Sequence, residues 1–220
     1  MSGVLFIGNR RYSSWSLRGW LAVRLAGLDV EVRVLRIDGT GASPQVRAIS
    51  PSGTVPYLLH AGHAIWDSLA IGEYCAELSP GLWPAQAMAR GFARTICAQM
   101  HGGFRDLRVA MPMNCCARFP GAGRSPGALA DIARIVDLWR LAMQRGGGPF
   151  LFGPEMTLAD AMFAPIVARF LTYGPQLPTD AEIYCQTVRA HPLVAQWYAD
   201  AGAEPAGWQI AKYEAAPTSV

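Results

Sequence analysis

Lysine is nearly absent from this 220-residue chain, with Lys212 the single instance. Charge of either sign is sparse, at 16% of residues, and the formal net charge of +3 comes from arginines scattered without a basic run. That excludes the clustered positive surface with which nucleic-acid-binding chains hold phosphates. Cysteine occurs five times, at Cys75, Cys97, Cys115, Cys116 and Cys185, an odd number with neither C-x-x-C nor metal-ligand spacing. Neither a disulfide framework nor a metal site is expected, and reduced thiols in a cytoplasmic protein are the simplest account. No window approaches the roughly 20 apolar residues that span a bilayer, so no membrane partner is expected. The opening MSGVLFIGNRR is apolar over too short a length to serve as a signal peptide. Internal repeats are also lacking. What the chain has is apolar material, 51% hydrophobic residues, and a length that suits two small domains of about 100 residues each.

Apolar patterning divides the chain in two. Val4–Leu5–Phe6–Ile7–Gly8 is a continuous apolar run of buried-strand length, and from Ser16 onward Leu17, Trp20, Leu21, Leu25 and Leu28 recur at helical spacing up to a stop at Gly27. Val30, Val32 and Val34 alternate with Glu31 and Arg33, the period of a half-buried strand. A Gly/Ser/Pro-rich stretch over residues 39–53 leaves room for one short helix around Gln45–Ile49. Two apolar runs, Val55–His60 and His63–Trp66, then flank Ala61-Gly62 as a tight hairpin, and Asp67 or Ser68 starts another helix. The order is β-α-β-α-β-β-α over residues 1–80. Beyond Ser79-Pro80-Gly81-Leu82-Trp83-Pro84 no alternating segment follows, so residues 87–220 are expected to be all helical. The helices expected there cover residues 86–111, 128–145, from Thr157 to about Tyr173, 180–190 and 192–201.

Three segments carry chemistry. Proline is rare inside a sheet because it lacks a ladder donor, so Pro56 at the mouth of a strand calls for a reason. Either it marks an edge-strand start, or a cis Val55–Pro56 bond turns the Val55 amide and carbonyl outward to pair with an extended peptide ligand. Asp67-Ser68 precedes a helix, whose first amides are unpaired donors. Ser68 could hold a carboxylate there and Asp67 an ammonium group, the two charges of a γ-glutamyl unit, although plain N-capping accounts for each residue alone. Ser13 and Ser14 enter the first helix. A serine there can be a simple cap, or it can stabilise a thiolate: lowering a thiol pKa by about 2 units takes roughly 2.7 kcal/mol, within reach of one charge-assisted hydrogen bond plus the helix terminus.

In this order the segments resemble the soluble glutathione transferase superfamily, over nearly the whole chain. Ser13-Ser14-Trp15-Ser16-Leu17-Arg18 is similar to the Ser-Ser-Cys-x-x-Arg motif of the zeta class, with Trp15 in place of the cysteine. Ser50-Pro51-Ser52-Gly53-Thr54-Val55-Pro56 resembles the Asn-Pro-x-x-x-Val-Pro of the family's cis-proline loop. Asp67-Ser68-Leu69-Ala70-Ile71-Gly72-Glu73-Tyr74 resembles its γ-glutamyl-binding Glu-Ser-x-Ala-Ile-x-Glu-Tyr, and Thr157-Leu158-Ala159-Asp160 its helix cap. His191-Pro192-Leu193-Val194 with Trp197 extends the likeness toward the carboxyl end.

The resemblance implies a thioredoxin-like amino-terminal domain joined to an all-α domain, and a cytoplasmic homodimer that serves in detoxification. Glutathione is its co-substrate, no metal is needed, and a small electrophile is the second substrate. Ser13 leads as thiol activator with Ser14 in reserve, while Thr54, Val55, Pro56, Asp67 and Ser68 bind glutathione. Thr54 stands where many members offer lysine or glutamine to the glycyl carboxylate, a role that Arg47 or Arg10 could take instead. His101, Phe104, Arg108 and Met111, spaced three and four apart on the first long helix, are the candidates for the electrophile pocket. Arg108 either attracts an anionic substrate or is solvated or ion-paired. The alternatives to a transferase are a glutathione-dependent cis-trans isomerase of the maleylacetoacetate type and a non-catalytic scaffold of the same fold.

Overall fold

The computed structural model describes residues 3–40 and 43–217; Gly41 and Ala42 of the Gly/Ser/Pro-rich stretch, and the outermost residues of both expected domains, lie outside that range. The amino-terminal half runs β1 (Gly3–Gly8), α1 (Ser14–Leu25), β2 (Glu31–Leu35), α2 (Pro44–Ile49), β3 (Tyr57–His60), β4 (His63–Trp66) and α3 (Ser68–Leu78). The strands form one mixed sheet in the order β2-β1-β3-β4, with β1 parallel to β2 and antiparallel to β3. The element order is the one expected from the patterning, and the arrangement is the thioredoxin-like one that the resemblance implied. β1 is central, and its Leu5 and Ile7 are wholly buried, which is why it reads as an unbroken apolar run. The β3–β4 turn places Ala61 at φ 52° and Gly62 at φ 80°, the two positive values that a two-residue hairpin twisted like its strands requires.

The carboxyl-terminal half is helical: α4 (Ala87–Gly102), α5 (Arg105–Ala110), α6 (Pro126–Gly146), α7 (Leu158–Tyr173), α8 (Thr179–Ala190) and α9 (Pro192–Gly202). The single helix expected over residues 86–111 is two. Gly103 is extended and Phe104 left-handed at φ 58°, so the ladder breaks after Gly102-Gly103, where backbone freedom makes helix continuation costly. The apolar spacing carries on across the break and hides it. α7 is the central post, buried along nearly its whole length. Asp160 at its start accepts from the backbone N–H groups of Leu151 (3.0 Å) and Thr157 (2.9 Å) and from the hydroxyls of Thr157 (2.9 Å) and Tyr184 (3.0 Å), the capping box expected from Thr157-Leu158-Ala159-Asp160.

One apolar core runs through both halves, because α7 packs on α1 as well as on α4 and α8. After α9 the chain returns across the mouth of β1. Trp208 accepts from Asn9 Nδ2 (3.1 Å) and Ile210 donates to the Tyr12 hydroxyl (3.1 Å). The carboxylate of Glu204 accepts from the amides of Arg10 (2.5 Å) and Arg11 (3.3 Å). The loop between β1 and α1 is thus held by residues some 190 positions away.

Candidate active site

That loop positions the serines. Ser13 is the N-cap of α1: its hydroxyl accepts from the Ser16 amide (3.3 Å) and donates to Ser16 Oγ (2.7 Å), which also accepts from the Gly8 amide (2.9 Å). Ser14 opens the helix, and no hydrogen bond within the described residues engages its hydroxyl. Tyr12 is committed elsewhere. Its hydroxyl donates to the Glu214 carboxylate, and burial with that contact holds its pKa above the ordinary phenol value, as suits a packing residue.

The Val55–Pro56 peptide bond is cis. β3 begins only at Tyr57, and among the described residues nothing in the protein bonds the Val55 amide or carbonyl, which leaves both open to an added strand. α1 presses directly on this turn. A Cβ placed on Gly19 would lie 2.7 Å from Pro56 Cγ, so glycine is what permits the serine helix and the cis-proline loop to touch. Thr54 is exposed and bonded to Ser52 through its hydroxyl at 2.7 Å.

Asp67 caps α3, with Oδ1 accepting from Leu69 (2.7 Å) and Ala70 (3.4 Å), while Oδ2 meets His101 Nε2 at 3.0 Å. Ser68 is 1% exposed, and among the described residues its hydroxyl has no partner. A buried, unpaired hydroxyl at a helix start calls for a partner.

A cleft of about 430 Å³ lies between the two halves. It brings together Ser13, Ser14, Thr54, Val55 and Arg108, but not Pro56, Asp67, Ser68, His101, Phe104 or Met111. Met111 is wholly buried, and its carbonyl accepts from Arg169. Phe104 is spent on the left-handed turn that caps α5. The ring centroids of His101 and Trp15 lie 5.2 Å apart in an edge-to-face contact, and His101 itself does not line the cleft. Arg10 pairs with Asp200 at 3.5 Å, and neither it nor Arg47 reaches the cleft. The five cysteines are unpaired, and burial raises the thiol pKa of Cys75, Cys97, Cys115 and Cys185, keeping them protonated. No group of side chains suited to a metal occurs among the described residues.

Among the cleft residues that sequence reasoning missed are Trp15, Met113, Arg169 and Tyr213. Arg169 had a signal, since it is the one charge in Ala161–Tyr173 of an otherwise apolar helix. Tyr213 had none, because only the return of the chain end brings it there.

Comparison with known proteins matches two family models: "Glutathione S-transferase, N-terminal domain" over residues 12–78 and "Glutathione S-transferase, C-terminal domain" over residues 86–200. Maleylacetoacetate isomerase of Rattus norvegicus is 28% identical over 170 residues, 75% of this chain and 76% of that protein. Glutathione S-transferase 3 of Zea mays is 28% identical over 191 residues, 82% and 81% of the two chains. Among solved structures, a Burkholderia glutathione transferase homolog with bound glutathione superimposes with a TM-score of 0.69 at 23% identity, covering 93% of this chain and 100% of that one. The theta class glutathione S-transferase of Xanthomonas axonopodis pv. citri, also with glutathione bound, gives 0.64 at 21% identity over 89% and 96%.

Proposed function

The chain belongs to the glutathione S-transferase family, and from that premise we propose that it binds glutathione along the Val55 backbone and transfers it as a thiolate to an electrophile in the adjoining cleft. The observation that carries this reading is the meeting, at one cleft, of an unpaired Val55 backbone behind a cis proline with two serine hydroxyls at a helix start. Ser13 turns its proton to the sulfur, and Ser14 lines the space beside it. The α1 terminus adds its positive end, which favours the anionic form of the thiol. Asp67 and the unpartnered Ser68 hydroxyl hold the γ-glutamyl end, and Thr54 lies at the glycyl end.

The bond chemistry is simple. The thiol proton leaves to solvent, sulfur attacks the electrophilic carbon, and the displaced group departs with its electron pair. Glutathione is consumed in a transfer. If the electrophile is a strained double bond, sulfur adds, the bond rotates and glutathione is released, the isomerase alternative. That second reading is supported by the likeness to the rat isomerase, and Trp15 in place of the zeta-class cysteine weighs against it. The division at residues 1–80 and 87–220 assigns glutathione to the first part and the electrophile to the second. By family likeness the protein is a cytoplasmic homodimer serving detoxification; among the described residues no helix is long and apolar enough to cross a membrane. Sedimentation tests the dimer.

Retention on immobilised glutathione, together with turnover of a chromogenic chloronitrobenzene, tests the central claim. Retention with turnover is expected. Absence of both, with serine variants indistinguishable from the parent, leaves the non-catalytic scaffold.

A further inference from the structure

The wall of the cleft contributed by the helical half is built on arginine. Arg108 from α5 and Arg169 from α7 line it, and Arg18 lies behind Trp15. Arg18 is 1% and Arg169 5% exposed. Among the described residues none of the three has a carboxylate within ion-pair distance. Their hydrogen bonds go to backbone carbonyls: Arg18 to Met162 (2.8 Å), Arg169 to Met111 (2.8 Å) and Pro165 (3.0 Å), and Arg108 to His101 (3.2 Å) and Met100. Carbonyls fix direction but do not cancel charge. Among the described residues Arg18 Nη1 and Arg108 Nε have no hydrogen-bond partner. Burial and the neighbouring guanidiniums lower the pKa of Arg18 and bring that of Arg169 down to about 10, and burial lowers that of Arg108; Asp67 toward Arg18 and Asp131 toward Arg108 offset this only in part, and neither is within ion-pair distance of them. Buried charge of one sign needs an opposite charge. Among the described residues the one carboxylate lining the cleft, Asp38, is exposed and sits near Lys212.

The rest of this wall is flat and apolar. Trp15 has the Arg18 and Arg108 guanidiniums each 4.8 Å from its ring centroid, which fixes the indole in place. Pro112, Met113 and Tyr213 complete the lining.

We propose that the second substrate is an amphipathic monoanion: a carboxylate-sized head held by Arg108 and Arg169, and a planar apolar body laid against Trp15, Met113 and Tyr213, with its electrophilic carbon toward Ser13. The proposal rests on the glutathione transferase reading for its chemistry but not for its binding. It differs from a neutral apolar electrophile, which leaves the arginines unmatched. It differs also from a small aliphatic diacid, which leaves the apolar wall unmatched.

The test compares a chlorodinitrobenzoate with the corresponding chlorodinitrobenzamide. In each, glutathione sulfur forms the bond to the ring carbon, chloride leaves with the C–Cl electron pair, and the thiol proton passes to buffer. Relative to the uncatalysed rates, kcat/KM is expected to be about tenfold or more higher for the benzoate, falling with added salt. Arg108→Gln and Arg169→Gln should each bring that ratio toward one. Unreactive benzoate should inhibit the parent protein better than benzamide and better than succinate, a readout independent of whether an arginine variant folds. Equal rates for the two electrophiles, or equal inhibition by benzoate and benzamide, overturns the anion site. Succinate matching benzoate overturns the apolar body. Calorimetric binding of benzoate to the protein without glutathione separates the two readings. Benzoate binding by a protein that ignores glutathione supports the anion site while refuting the transferase, and glutathione turnover without benzoate binding does the reverse.

Discussion

Replacing Ser13 by alanine removes the helix cap that its hydroxyl forms together with the thiolate contact proposed for the same hydroxyl, and the two can be measured apart. To hold a thiolate, Ser13 must turn its proton away from Ser16 Oγ, 2.7 Å distant. A hydrogen bond to a charged group contributes about 1.5–3 kcal/mol and a neutral one about 0.5–1.5 kcal/mol, so the exchange leaves roughly 1–1.5 kcal/mol for the thiolate. That is close to one pKa unit and about tenfold in rate at a pH below the thiol pKa. Separately, losing the cap on the Ser16 amide costs about 1 kcal/mol of stability, or roughly 2–4 °C in Tm for a chain of this size. Ser14→Ala breaks no bond within the described residues and should leave Tm nearly unchanged. Tyr12→Phe loses the Glu214 contact and should lower Tm without moving the thiol. The assay is ultraviolet titration of bound glutathione thiolate in all three variants, alongside thermal melts. Turnover in the parent rises with pH through the bound thiol pKa. In Ser13→Ala that limb shifts upward by about one unit, so the deficit is largest at low pH and closes at high pH. A raised thiol pKa in Ser14→Ala, with none in Ser13→Ala, moves the role to Ser14. No shift in any variant refutes hydroxyl activation and leaves the backbone amides at the start of α1.

Asp67→Asn and Ser68→Ala should raise the glutathione concentration needed for half-maximal rate while changing kcat much less, because both act on a part of the ligand remote from sulfur; an unchanged KM with lost kcat refutes that assignment. Asp67→Ala should cost about 1 kcal/mol more stability than Asp67→Asn, since only asparagine keeps an acceptor for the α3 amides, as paired denaturation curves will show. Gly19→Ala puts a methyl 2.7 Å from Pro56 Cγ and should cost about 1–3 kcal/mol while weakening glutathione binding by calorimetry; unchanged affinity would separate the helix from the cis-proline loop. Asp160→Ala strands two backbone and two hydroxyl donors in the core and should destabilise by about 3–5 kcal/mol in urea; a loss under 1 kcal/mol would mean water replaces the carboxylate.

Patterning determined most of the architecture because each element carries its own period and its own stop signals. β1 is apolar throughout because both its faces are covered, and β2 alternates because one is not. Ala61-Gly62, Asp67 and Thr157 act within a few residues of themselves, so their hairpin and caps were legible before any packing was known. Pro56 was legible for a related reason: a missing donor at a strand mouth is a local anomaly, and the cis bond resolves it. The break at Gly103–Phe104 escaped because apolar spacing is blind to a two-residue change of direction.

The cleft was legible where its lining comes from elements with such local signatures, as with Ser13, Ser14, Thr54 and Val55. Elsewhere tertiary structure decided. Helical spacing put His101, Phe104, Arg108 and Met111 on neighbouring positions, but α5 turns away from α4, and of these only Arg108 reaches the cleft. Arg18 and Arg169 come together from helices 150 residues apart, and whether an arginine is ion-paired or left uncompensated depends on what stands across from it, not on its neighbours in the chain. The same holds for Glu204, Trp208 and Ile210, whose hold on the serine loop has no trace in composition or period. Local backbone preference, burial period and caps are properties of adjacent residues and were therefore written in the sequence; charge balance and the shape of the cleft belong to residues that meet only on folding, and the fold alone set them.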